Sequence, residues 1–111
     1  MSGVYRRLMN PTTIVANQKQ DPTEAMDVGA ATRVVVHLRV LKAGSAGNIR
    51  LEHAAVNEDS AYTPLTGATW AADGTTAPVL GFTDVLRYLR WAGDGSVAGA
   101  PLVMADVVGK E

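Results

Sequence analysis

The sequence predicts an all-β protein, a single antiparallel β-sandwich of jelly-roll-like form with about eight short strands. Apolar and polar residues alternate over several short stretches, which is the pattern of strands with one buried face. Turn-forming residues separate these stretches about every 8–12 residues, a spacing typical of sandwiches and barrels. The chain of 111 residues contains no cysteine, so the fold is expected to form without disulfide bonds.

The first residues have no regular pattern. Residues 1–11, MSGVYRRLMNP, show no clean period and end at a proline. We therefore predict an N-terminal arm over 1–11, either frayed or ordered against a neighbouring subunit, and a β-sandwich domain over 12–111. The arm would offer apolar and charged side chains to a partner, namely Val4, Tyr5, Arg6, Arg7, Leu8 and Met9.

Two weak strands follow the arm. β-forming residues predict a first strand around Thr12–Ala16. A turn is expected at 21–23, because proline presets φ and aspartate bonds back to the chain. The second strand is predicted over Glu24–Val28 and ends at Gly29.

The clearest pattern lies between Thr32 and Ala55. Alternating residues there predict two strands, and the segment 44–47 between them predicts the turn of a β-hairpin. The inner face is expected to form the centre of the core: Val34, Val36, Leu38, Val40, Ile49 and Leu51. The outer face is a candidate contact surface with charged and polar residues: Arg33, His37, Arg39, Arg50 and Glu52.

The second half of the chain continues the series of short strands. The predicted segments are Ala61–Leu65, Gly67–Ala72, Ala77–Phe82, Val85–Trp91 and Pro101–Val108. Within 85–91, we expect Leu89 and Trp91 to point inward and Tyr88 and Arg90 to point outward.

Polar residues inside the predicted strands are candidates for chemistry. His37 falls on the charged face of the hairpin and His53 on the apolar face, so the two cannot share a zinc ion. We interpret His53 as a core or rim histidine that makes a local hydrogen bond. Asp106 interrupts the last strand, where it is expected to face outward or to pair with Arg87 or Arg90, because an unpaired buried carboxylate is costly.

Composition and motifs argue against several classes of function. Ten basic and eleven acidic residues give a net charge of −1, which disfavours a nucleic-acid partner. No run approaches the ~18 apolar residues of a membrane span. The sequence has no Gly-x-Ser-x-Gly elbow and no phosphate cradle. We therefore expect a non-enzymatic protein with no catalytic residues, no metal and no cofactor.

Two segments resemble those of a known class of proteins. One contains RYLRW, preceded by Gly-Phe-Thr-Asp and followed by a Gly-rich loop and PLVMADVVGKE; the other is IRLEHAAVNEDSAYTPL. Both are similar to short β-sandwich structural proteins of tailed bacteriophages and related gene-transfer particles. The strand at 87–90 is also similar to discoidin-type sandwiches. The phage resemblance covers roughly residues 33–111 and implies a virion structural protein that is assembled in the host cytoplasm.

Within that class, a capsid decoration (cement) protein of the phage head fits a single domain with an arm, and a small tail or baseplate component fits nearly as well. The expected partners are the major capsid protein, further copies of the chain in a homo-oligomer, or both. The alternative is a receptor-binding carbohydrate-binding module that uses Tyr62, Trp70 and Arg90. The predicted partner-binding residues are Val4, Tyr5, Arg6, Arg7, Leu8, Met9, Arg33, His37 and Arg39.

Overall fold

The computed structural model describes residues 3–29, 31 and 33–110. The strands are β1 Gly3–Thr13, β2 Met26–Asp27, β3 Arg33–Lys42, β4 Asn48–Ala54, β5 Thr63–Ala71, β6 Val79–Phe82, β7 Tyr88–Gly93 and β8 Leu102–Lys110. Two short 3₁₀ turns lie at Pro22–Glu24 and Asp59–Ala61. Over the described ranges, no helix is long and apolar enough to cross a membrane.

The strands form two four-stranded antiparallel sheets. Sheet 1 has the order β1-β8-β3-β6, and sheet 2 has the order β2-β7-β4-β5. In this order β1 pairs with β8, β2 with β7, β3 with β6 and β4 with β5, as if one long hairpin had been rolled up. That is the strand order of a jelly roll. The predicted all-β sandwich is confirmed.

The predicted β-hairpin between β3 and β4 is wrong. Both strands exist, but β3 pairs with β6 and β8 in sheet 1, whereas β4 pairs with β5 and β7 in sheet 2. The connection crosses from one sheet to the other and bonds to other loops: Gly44 N–H donates to the carbonyl of Ala72 at 2.8 Å, and Ser45 N–H donates to Ala98 at 2.9 Å. Alternation specifies one buried face for a strand, but it does not specify the neighbouring strand.

The core lies between the inner faces of the two sheets. Val36, Ile49 and Leu51 have no exposed surface, Val34 and Leu38 have 1 % each, and Val40 is partly buried against them. Strands β3 and β4 thus face each other across the core. Leu89 and Trp91 also point inward, as predicted, with 0 % and 6 % exposure.

The N-terminal segment lies within sheet 1. Gly3–Thr13 pairs with β8 along its length, with bulges between Arg7 and Met9 and between Met9 and Thr12. The bulges interrupt the alternation, which explains why the sequence shows no clean period there. The first strand therefore lies mostly before the predicted Thr12–Ala16, and most of the residues assigned to an arm belong to β1.

Strand β5 replaces two predicted strands. Most residues of the predicted segments Ala61–Leu65 and Gly67–Ala72 belong to the one strand Thr63–Ala71, which bulges against β4 between Arg50 and Glu52. Gly67 lies at this irregularity with φ +82°, a conformation that glycine adopts readily. The glycine marks a bulge within a strand and not a turn between two strands.

Candidate functional site

The outer face of sheet 1 carries a group of cations and exposed apolar side chains. We call it the basic face and define it by Arg7, Arg33, Val35, His37, Arg39 and Val79. Because β3 alternates, its odd-numbered residues 33–39 point away from the core. Val35 is 36 % exposed and Val79 is 51 % exposed, so two partly exposed valines lie among the charges.

Asp106 lies at the centre of the basic face. Its carboxylate accepts a hydrogen bond from Arg7 Nε at 3.0 Å, and Arg39 Nη2 lies 3.9 Å away. Of the two expectations for Asp106, that it faces outward is confirmed. The alternative, a pairing with Arg87 or Arg90, is wrong, because those arginines belong to sheet 2, on the other side of the sandwich. Asp106 holds two arginines in place while their side chains stay 43 % exposed.

The structure brings together four of the nine predicted partner-binding residues. Arg7, Arg33, His37 and Arg39 share the basic face, and their role in binding stays a prediction. Leu8 and Met9 have only 5 % and 3 % exposure and belong to this chain's own core, so a partner cannot reach them. The side chains of the other three, Val4, Tyr5 and Arg6, lie outside the described residues.

The candidate surface expected on the outer face of the hairpin is divided between the two sheets. Arg50 and Glu52 lie on the outer face of sheet 2, on the opposite side of the molecule from the basic face. The division follows from the crossover between β3 and β4, which the sequence pattern does not reveal.

Positive charge is concentrated in sheet 1, a feature that the net charge of −1 hides. The four strands of sheet 1 contain six basic residues and one acidic residue, a net +5. The remainder of the chain contains four basic and ten acidic residues, a net −6. Sequence reasoning missed this separation because it appears only when the strands are sorted into sheets.

Acidic side chains collect on two adjoining turns of the opposite side, residues 21–24 and 57–61, which we call the acidic turns. Asn57 Nδ2 joins them by donating to the carbonyl of Pro22 at 2.8 Å. The exposed carboxylates of these turns are Asp21, Glu24, Glu58 and Asp59.

Arg90 anchors the second acidic turn to the outer face of sheet 2. Its guanidinium is 1 % exposed and donates to Glu52 Oε1 at 2.9 Å and to Asp59 Oδ1 at 2.6 Å. It also lies over the ring of Tyr62, 4.2 Å from the centroid. The hydrogen bond from Arg90 lowers the pKa of Asp59, whereas burial raises the pKa of Tyr62. All these charges are paired, so the network acts as scaffold.

The residues expected to bind carbohydrate are buried. Trp70 and Arg90 have 1 % exposure and Tyr62 has 8 %, so none presents a ring or a planar group to a sugar. Trp70 packs edge-on against Phe82, with the ring centroids 6.1 Å apart. Among the described residues its Nε1 has no hydrogen-bond partner.

A polar groove of about 410 Å³ opens between β5 and β6 at the edge of the sandwich. It is lined by His53, Leu65, Thr66, Gly81, Phe82, Thr83 and Asp84. His53 Nδ1 accepts a hydrogen bond from Leu86 N–H at 3.2 Å, which confirms the expected rim histidine with a local bond. Burial lowers the pKa of His53.

Metal ligation has no support in the described part of the chain. It contains no group of three or more His, Asp or Glu side chains that could hold an ion. His37 and His53 lie in different sheets, so their predicted separation is confirmed, although the hairpin used to derive it is wrong.

Comparisons with known proteins identify neighbours by structure alone. No protein-family model matches the chain, and no curated protein matches it. The SPBc2 prophage-derived protein YomS is similar, with 12 % identity, a TM-score of 0.58 and coverage of 98 % of this chain and 94 % of that chain.

Two other solved structures show a weaker likeness. The K2 cleaved adhesin domain of Lys-gingipain has 12 % identity and a TM-score of 0.53, over 77 % of this chain and 60 % of that chain. A CBM32 domain from a Clostridium perfringens glycoside hydrolase has 17 % identity and a TM-score of 0.43, over 99 % of this chain and 77 % of that chain. The chain thus has a jelly-roll β-sandwich fold that resembles a prophage-derived protein.

Proposed function

We propose that the protein is a non-enzymatic virion structural protein, a capsid decoration protein that binds the phage head lattice and stabilises it. The observation that carries this proposal is the basic face, where exposed valines lie among arginines on a broad sheet. Arginine is enriched in protein interfaces, and exposed apolar patches mark them. The fold likeness to a prophage-derived protein supports a phage setting for this surface.

The basic face is suited to a protein partner with an acidic surface. Arg7 and Arg39 are held by the nearly buried Asp106, so less side-chain entropy is lost when they bind. Val35 and Val79 supply apolar area that a partner can cover. The proposed partners are the major capsid protein, further copies of this chain, or both.

Binding to particles tests the proposal. The test uses phage particles that were assembled without this protein. The purified chain should bind these particles and co-sediment with them. The variant Arg33→Glu/Arg39→Glu should lose at least tenfold in affinity, because two of the three arginines of the face are reversed in charge.

The matched control is Lys19→Glu/Arg87→Glu, which makes the same change in net charge on the sheet 2 side. Arg87 pairs with Asp27 in an exposed ion pair, and such pairs contribute little to stability. This control should bind like the natural chain. Equal binding by the face variant and the natural chain would refute the proposal.

A second candidate function is binding of a glycan in the polar groove. The observation that favours it is the set of hydrogen-bonding side chains on its lining, Thr66, Thr83 and Asp84, in a volume within the range of ligand sites. A glycan array should then give signals that Asp84→Ala removes in a folded protein. No signal on a broad array would eliminate this candidate.

A further inference from the structure

We propose that a partner of the basic face is a second copy of this chain, which places its acidic turns against that face. The inference deepens the proposed function, because it names one partner of the same surface. It predicts a head-to-tail oligomer in which each copy contributes its sheet 1 face to one neighbour and its acidic turns to the other.

The first argument is complementary charge. The basic face carries three arginines (Arg7, Arg33 and Arg39) against one carboxylate, that of Asp106. The acidic turns present four exposed carboxylates with Lys19 as the nearby exposed cation. Opposite potentials of this kind steer two surfaces together and fix their register. A second copy brings the complementary charge without any other component.

Two of the four carboxylates, those of Asp21 and Asp59, are held in place by hydrogen bonds. The hydrogen bond from Thr23 N–H lowers the pKa of Asp21, and that from Arg90 lowers the pKa of Asp59. The first turn is fixed by Gln20, whose Nε2 donates to the carbonyl of Glu24 at 3.0 Å. Both turns are therefore rigid, which reduces the entropy lost on docking.

The second argument is apolar surface on both sides of the proposed contact. Val56 is 52 % exposed and lies directly before the second acidic turn, where its carbonyl accepts a hydrogen bond from Glu58 N–H at 2.9 Å. On the basic face, Val35 and Val79 are exposed to a similar degree. Charge would align the two surfaces, and burial of the valines would stabilise the contact.

The position of the two surfaces determines the type of assembly. The basic face is the outer face of sheet 1, whereas Asp59 lies against Arg90 on the outer face of sheet 2. A contact between these different surfaces is heterologous. Such a contact closes into a ring or continues as a stack, but it cannot close as a two-fold dimer.

Sedimentation velocity of the purified chain tests the inference. At about 0.1 M salt the chain should sediment as an oligomer, and at about 1 M salt it should shift toward the monomer, because the Debye length falls from ~10 Å to ~3 Å. The monomer mass is 11.7 kDa. A natural chain that stays monomeric at low salt at its highest soluble concentration would overturn the inference.

Charge reversal identifies the surfaces. The face variant Arg33→Glu/Arg39→Glu and the turn variant Glu24→Lys/Glu58→Lys should each be monomeric alone. An equimolar mixture should associate again, because the natural basic face of the turn variant then meets the natural acidic turns of the face variant. The control Lys19→Glu/Arg87→Glu should still associate. Association of the turn variant alone, or no association in the mixture, would overturn the inference.

Two further outcomes separate this inference from the proposed function. A chain that forms the oligomer but does not bind particles contradicts the proposed function alone. A chain that binds particles but remains monomeric contradicts this inference alone. A monomer that binds duplex DNA through Arg33 and Arg39 would assign the face to nucleic acid and overturn both.

Discussion

Arg90 shows how much of a residue's environment follows from its own strand. Alternation in the sequence predicts that it points outward from the core, and it does. Its burial depends on Tyr62 and Asp59, which a distant loop brings over it. The direction of the side chain is therefore a local property that the sequence reveals, and its burial is a tertiary property that the sequence does not.

Replacement of Arg90 by methionine should destabilise the protein by about 3 kcal/mol, because Glu52 loses a buried cation. The loss is expected at the low end of the usual range, since Arg50 still reaches Glu52 Oε2 at 3.1 Å. Urea denaturation measures the change. The double variant Arg90→Met/Glu52→Leu should recover most of the stability; if it is no more stable than the single variant, the ion pair is not the cause.

His53 should make stability depend on pH. Burial lowers its pKa below the ordinary value of about 6.5, so the unfolded chain takes up the proton at a higher pH than the folded chain. The contribution of His53 is thus complete above about pH 6.5 and is lost as the pH falls toward the native pKa.

Urea midpoints between about pH 5 and about pH 7.5 check this expectation. In the variant His53→Gln, the urea midpoint should depend less steeply on pH than in the natural chain. The variant His37→Gln keeps His53 and should show the same dependence of the midpoint on pH as the natural chain. An unchanged slope in His53→Gln would show that other groups cause it.

Strands β3 and β4 are the clearest elements in the sequence, and their inner faces were predicted correctly. Their pairing was not, because the period of a strand carries no information about its neighbours. The glycines of the connection fit a hairpin turn as well as a crossover. In the structure, they allow the connection to pack closely on the loop around Val97.

A substitution at Gly47 distinguishes a packed crossover from a free turn. A Cβ atom at this position would lie 2.4 Å from Val97 Cα, in addition to the strain of φ +88°. Gly47→Ala should therefore cost about 3 kcal/mol or more.

Gly29→Ala is the matched control, since φ is +61° there and, among the described residues other than its chain neighbours, no atom lies within 4 Å of the added atom. It should cost only about 1 kcal/mol. Thermal or urea unfolding of the two variants checks the difference, and equal losses would show that the connection is not packed.

For the whole molecule, the sandwich class could be predicted because many short segments of alternating residues are compatible with few other fold classes. The candidate site could be predicted only in part. Arg33, His37 and Arg39 share a face by simple alternation, but Arg7 joins them only through the pairing of β1 with β8. The concentration of basic residues in sheet 1 becomes visible only when the complete topology assigns each strand to its sheet.

The central claim is that the basic face of sheet 1 binds within a phage particle. Cryo-electron microscopy of phage particles released by the host whose genome encodes this chain provides the direct test. We predict density for the jelly roll on the head surface, with Arg33, Arg39 and Val35 covered by the lattice or by a neighbouring copy. Particles that lack the chain, or a map in which the outer face of sheet 1 is open to solvent, would contradict the claim.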